Sequence, residues 1–150
     1  MKIIKDNALR ALKKMPSESI DCIITSPPYY ALRDYGVKGQ MGLEKTPEEY
    51  IKNLVEIFDE AKRVLKKRGT CFVNIGDTYF GGGRNKNNHN PKSPSKQVRG
   101  IKDLGETVPG PKGQKKALAQ IPSRFALAMA DRGWILRNEI IWHKPNAMPS

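Results

Sequence analysis

Four consecutive residues, Ser26, Pro27, Pro28 and Tyr29, bring a hydroxyl, two ring-locked backbone units and an aromatic plane into one short stretch. Neither proline has an N–H and both have a nearly fixed φ, so the carbonyls of Ser26 and Pro27 are expected to point outward rather than pair locally. That set of groups suits a planar ring carrying an exocyclic amine. Ser26 Oγ and the Pro27 carbonyl can accept the amine's two hydrogens while Tyr29 stacks on the ring, which holds the nitrogen lone pair out of conjugation and aims it at an electrophile. Two blander readings fit the same residues. Pro-Pro can simply end a strand, and Pro-Pro-Tyr-Tyr also fits the PPxY pattern of ligands that dock on aromatic-lined grooves. The apolar run 20–24 immediately before the corner reads as a buried strand and argues against a floating ligand.

Such a corner needs a frame. Thr46, Pro47 and Glu49 form a helix start with an N-cap, a first-turn proline and a capping box. Ile51, Leu54, Val55, Phe58, Ala61, Val64 and Leu65 then recur at helical spacing. Lys66, Lys67 and Arg68 suit the negative end of that helix, and Gly69 is expected to end it. A second strand is predicted over 70–75, nearly continuous in apolar character, as when both sheet faces are covered. Alternating strands and helices point to a parallel α/β sheet, with ligands gathering where its strands end. Asp77, after Gly76, would share that rim with Ser26, or it can be a turn-forming aspartate. Upstream, Ile3 and Ile4 make a brief apolar start, and Asp6 can cap a helix with the face Ala8, Leu9, Leu12 and Met15, giving a possible strand, helix, strand unit. Downstream, Pro122 opens a helix through Phe125, Ala128 and Met129, with Gly133 past its end. The stretch 134–142 reads as a strand that Lys144-Pro145-Asn146 terminates. The glycine-bearing loop 31–42, with Arg33, Asp34 and Tyr35, is expected to be a mobile connector.

The length of 150 residues suits one domain, and the formal net charge of +12 suits a polyanionic partner, nucleic acid before others. Segment 81–116 holds nine basic and two acidic residues, a net of +7, and is too polar to order itself. Its Gly81-Gly82-Gly83 lacks the following apolar helix that a phosphate loop requires. His89 has no partner at metal spacing, and no metal site is expected. Cys22 and Cys71 lie in strand-like runs and are expected as buried, reduced thiols. No apolar run reaches the roughly 18 residues of a membrane span, and the N-terminus lacks a signal-peptide core, so a soluble cytoplasmic protein is expected.

Thr25-Ser26-Pro27-Pro28-Tyr29 resembles the (D/N/S)PPY motif of DNA methyltransferases that transfer a methyl group from S-adenosylmethionine to N4 of cytosine or N6 of adenine. Lys5-Asp6-Asn7-Ala8-Leu9 resembles that family's lead-in, in which an acidic residue lies near the cofactor's adenine. Arg137-Asn138-Glu139-Ile140-Ile141-Trp142-His143-Lys144-Pro145-Asn146 resembles a late segment of its core. The resemblance implies a Rossmann-like methyltransferase sheet with Ser26, Pro27, Pro28 and Tyr29 as catalytic residues. It implies cofactor contacts from Asp6, Thr25, Ser26 and Pro27, and substrate contacts from Tyr30, Arg33, Asp77, Trp142, His143 and Lys144. For Asp6 helix capping, and for Trp142 core packing, are equal alternatives.

The order of segments matches the family's β arrangement, with the catalytic half first. It predicts a catalytic part over 1–80, a basic insertion over 81–116, and a helix and strand over 117–150. The family's FxGxG turn does not occur before Ser150, so an incomplete sheet is expected, with a second chain supplying that half, or a second copy, as partner. The implied reaction is transfer to a base flipped from double-stranded DNA, direct and without a covalent enzyme intermediate. Methylation at cytosine C5 is disfavoured because it needs a cysteine after proline, whereas Cys22 follows Asp21 and Cys71 follows Thr70. Serine at the first motif position leans toward N4-cytosine. N6-adenine is the alternative, and a catalytically silent DNA-binding or partner-binding half is a third reading.

Overall fold

The structure is a computed structural model that describes residues 3–32, 35–81, 108, 110–112 and 114–145. Five elements follow in order: α1 (Ala8–Lys13), β1 (Ile20–Thr25), α2 (Pro47–Val64), β2 (Leu65–Val73) and α3 (Ile121–Asp131). β1 and β2 pair in parallel and are joined through α2, a β-α-β crossover that makes this an α/β chain.

Helix α2 begins where its capping residues place it. Thr46 Oγ1 accepts from the Glu49 amide at 3.1 Å, and Glu49 Oε2 accepts from the Lys45 amide at 3.2 Å, one residue outside the ideal capping box. Tyr50, Ile51, Leu54, Val55, Phe58, Ala61 and Val64 are buried along one face. On that face the Phe58 ring meets Phe125 of α3 at 5.1 Å and Trp134 at 6.3 Å, both edge to face.

The helix ends sooner than its periodicity suggests. Leu65 already pairs with Ile20, and Lys66, Lys67, Arg68 and Gly69 belong to β2 instead of the last helical turn. Four residues there oppose Asp21 alone, because the next pair is Cys22 with Thr70. Lys66 Nζ holds Asp21 at 2.7 Å, and Gly69 fits only without a side chain, since a Cβ would lie 3.0 Å from the Asp21 carbonyl. Sheet pairing of a buried leucine overrides the helical preference of the lysines that follow.

One sheet face is covered, not two. Ile23, Cys71 and Val73 pack on the core, whereas the paired residues Ile24 and Phe72 are 79% and 51% exposed on the opposite pleat. Cys22 is therefore exposed and not buried as expected. Cys71 is half-buried, and that burial pushes its thiol up to about 11.

Residues 3–5 form no strand, and the N-cap of α1 is Asn7, whose side chain accepts from the Arg10 amide at 3.2 Å. The end of α1 is held by Arg63 of α2, which donates to the carbonyls of Leu12 at 2.8 Å and Met15 at 3.0 Å. At the other end of the chain α3 forms over Pro122 as expected. The stretch 134–142 is not a strand, because none of the described residues pairs with it. Ile135, Leu136, Ile140, Ile141 and Trp142 are all exposed.

The expected flexible insertion is held at both ends and within: the Lys116 amide donates to the carbonyl of buried Phe80 at 2.7 Å, and the Gly81 amide donates to the carbonyl of buried Val108 at 2.9 Å. Most of segment 81–116, including His89, lies outside the described residues.

Candidate active site

The proline corner sits at the carboxyl end of β1 and walls a cleft of about 320 Å³ lined by Ser26, Pro27, Pro28, Tyr29, Leu32 and Tyr35. A second groove of the same volume, between α2 and α3, is bounded by Glu48, Arg124, Asp131 and Arg132. Two of its cations are paired, Arg124 with Glu48 at 2.5 Å and Arg132 with Asp59.

Three contacts fix the corner. The buried Tyr50 hydroxyl donates to the Pro28 carbonyl at 2.9 Å. Burial, followed by the negative charge of Glu44, raises the Tyr50 phenol well above its ordinary range, so it stays a donor at any physiological pH. Gly42 closes on the far side with φ +96°, where a Cβ would lie 2.8 Å from the Tyr29 carbonyl, and its own carbonyl accepts from the Ala31 amide at 2.8 Å. Both ends of the loop expected to be mobile are thus pinned. The Tyr29 hydroxyl, finally, donates to Asn74 Oδ1 at 3.0 Å, and its ring lies on Gly76.

Pro28 and Tyr29 therefore have engaged carbonyl neighbourhoods, while the Pro27 carbonyl accepts no hydrogen bond among the described residues. Ser26 is exposed beside it, with Oγ 3.5 Å from the Tyr29 hydroxyl, the outer limit of a hydrogen bond. Two free oxygens and a clamped ring on one wall can accept a doubly hydrogen-bonding amine and stack its ring.

The remaining expected site residues are dispersed. Tyr30 is 1% exposed and its ring meets that of Tyr50 at 5.5 Å, tilted by 40°, so it belongs to the core and not to the cleft. Burial first, then Glu48, Glu44 and Glu49, pushes its phenol up to about 12. Asp77 directs both oxygens at backbone amides, Thr78 at 2.8 Å, Ile121 at 3.0 Å and Gln120 at 3.1 Å. It caps α3, which has no side-chain cap of its own. Trp142, His143 and Lys144 are exposed and do not line the cleft. Arg33 lies outside the described residues. Thr25 is half-buried, and its carbonyl accepts from the Asn74 amide at 2.9 Å.

Asp6 bears on the methyl donor. Its carboxylate is held by Lys14 at 2.9 Å, Arg10 at 2.6 Å and the Asn7 amide at 2.8 Å. The Lys14 hydrogen bond, then that of the Asn7 amide, lowers its pKa to about 2. With those oxygens engaged, Asp6 presents no open acceptor to a nucleoside among the described residues. Because the folded pKa is depressed, the anchoring of α1 by Asp6 is expected to be complete above about pH 4 and to fade as the pH falls toward 2. Amide exchange in α1 followed through that window checks this, and Asp6→Asn should remove the dependence.

Sequence reasoning missed Tyr50, Asn74 and Gly76. A tyrosine on the buried face of α2 was the available signal for the first, since a buried hydroxyl needs an acceptor. Asn74 and Gly76 stand in the Val-Asn-Ile-Gly-Asp strand end but carry no local mark of their partner.

The DNA methylase family model N6_N4_Mtase matches residues 20–150. The chain is 45% identical over 147 residues to the Type II methyltransferase M.Cfr9I of Citrobacter freundii, covering 98% of this chain and 47% of that protein. To M.SmaI of Serratia marcescens it is 43% identical over 149 residues, 99% of this chain and 49% of the relative. The DNA adenine methyltransferase YhdJ of Escherichia coli K12 is 38% identical over 73 residues, 47% of this chain and 23% of the relative. The chain spans about half the length of the first two relatives. No solved structure matches it significantly. The chain belongs to the N6/N4 DNA methylase family.

Proposed function

We propose that this chain is the catalytic part of a DNA amino-methyltransferase that acts on a base flipped out of double-stranded DNA, with N4 of cytosine as the favoured target. The reading rests above all on the pairing of Ser26 Oγ with the Pro27 carbonyl, two unengaged acceptors beside a clamped aromatic ring. The amine donates one hydrogen to each oxygen, and Tyr29 stacks on the base, so the nitrogen lone pair is turned out of the ring. Positioning supplies most of the rate. The family implies S-adenosylmethionine, which supplies an electrophilic methyl group when bound. N6-adenine presents the same two hydrogens and is the alternative, supported by the relative named as an adenine methyltransferase.

The exposed pair Ile24 and Phe72 favours further polypeptide against that sheet face, either a segment supplying the FxGxG half or a second copy. A catalytically silent half is the competing reading. Tritiated-methyl transfer to unmethylated DNA, measured with this chain alone and with a complementing FxGxG chain, separates them. Transfer in either condition supports the enzyme, and none in both supports the silent half.

The basic segment 81–116 is proposed to lie along DNA phosphates. With about six or more phosphate contacts, affinity for duplex DNA is expected to fall roughly a thousandfold between about 50 and 200 mM salt. A titration of Kd against salt checks this, and a flat response would remove the segment from the interface.

A further inference from the structure

A serine at the head of the corner faces a problem that an aspartate would not. Its hydroxyl carries a proton of its own, and if that proton points at the incoming amine the oxygen meets it as a donor. The structure places a receiver beside it. Ser26 Oγ donates to the Tyr29 hydroxyl at 3.5 Å, the Tyr29 hydroxyl donates to Asn74 Oδ1 at 3.0 Å, and the Asn74 amide donates to the Thr25 carbonyl at 2.9 Å. The relay thus closes back on the residue before Ser26 and ties the end of β1 to the residue after β2. Gly76 completes it from the other side. A Cβ there would lie 2.9 Å from Tyr29 Cε2 and 3.1 Å from Cδ2, so the ring rests directly on the Gly76 backbone.

We propose that Asn74 and Gly76 are positioning residues that turn the Ser26 hydroxyl into an acceptor, Asn74 by drawing the Tyr29 proton away and Gly76 by letting the Tyr29 ring lie flat. The inference rests on the amine-gripping reading of the corner. Asn74 is an acceptor-only requirement at this point. Asn74→Asp keeps an oxygen toward Tyr29, and Asn74→Ala does not. Gly76 is outside the left-handed φ region, so Gly76→Ala adds no backbone strain and acts through the ring alone.

Two readouts test it. In the protein with ¹³C at tyrosine Cζ, the Tyr29 resonance is expected to move in both Ser26→Ala and Asn74→Ala and to return toward its original position in Asn74→Asp. This holds whether or not methyl transfer occurs. In the active assembly, Tyr29→Phe and Asn74→Ala are each expected to lower kcat about tenfold, and the double variant is expected to be no slower than either single one. DNA affinity and Tm should be unchanged throughout.

A Tyr29 resonance indifferent to Asn74→Ala overturns the relay, as do additive losses in the double variant. If the wild type transfers no methyl group while the resonance responds as described, the functional reading fails and the relay stands. If the wild type transfers methyl and Asn74→Ala does so equally fast, the relay fails alone.

Discussion

Ser26→Ala is expected to lower kcat for methyl transfer about a hundredfold or more, with little change in affinity for DNA. The substitution removes one of the two oxygens proposed to hold the amine, so the nitrogen would keep its conjugation with the ring and its lone pair would no longer point along the attack line. No phosphate contact is expected to be lost, because Ser26 is uncharged and +7 of the net +12 lies in segment 81–116, the segment proposed to meet DNA. The fold has no stake in this hydroxyl either. Ser26 is exposed, and the hydrogen bond its side chain makes among the described residues is the long 3.5 Å approach to Tyr29. Single-turnover kinetics beside a binding isotherm check the split between kcat and Kd. A loss confined to DNA affinity, with kcat intact, would assign Ser26 to binding and remove it from the chemistry.

Phe58→Ala is expected to destabilise the chain by about 3–5 kcal/mol, through the lost burial of the ring and the cavity it leaves. Phe58 is 4% exposed, and it joins α2 to Phe125 of α3 and to Trp134. A domain of this size has a total stability of only about 5–15 kcal/mol, so the loss is a large share. The effect should reach the corner. Tyr50 lies on the same helix face two turns earlier and grips the Pro28 carbonyl, so loosening α2 loosens the loop that carries Ser26 and Pro27. Urea denaturation measures the destabilisation. A change below about 1 kcal/mol would show that the contacts between α2 and α3 carry little of the stability.

How much of this was legible depended on whether the deciding interaction was local. The start of α2 was readable because Thr46, Pro47 and Glu49 make their contacts within four residues, and its buried face was readable because burial follows the helical period. The proline corner was readable for the same reason, since proline restricts its own backbone.

The end of α2 was not. Nothing in Lys66-Lys67-Arg68 announces that Leu65 will pair with Ile20, a residue 45 positions earlier. Asp77 has the same difficulty: its position after a glycine at a strand end fits a ligand-binding rim, yet its oxygens go to amides 43 and 44 residues on. Tyr30 follows Tyr29 directly, but the two rings go to different neighbours, Tyr29 to Gly76 and Tyr30 to Tyr50 in the core. The apolar pattern of 134–142 is that of a strand. A strand, however, is defined by its neighbour, and none of the described residues fills that place.

The corner at Ser26 and Pro27 is proposed to grip an exocyclic amine. The most direct test is to digest DNA methylated by the active assembly to nucleosides and identify the modified base by mass spectrometry against standards. Methyl on an exocyclic nitrogen is expected, as N4-methylcytosine before N6-methyladenine. Methyl found on carbon 5 of cytosine would contradict it.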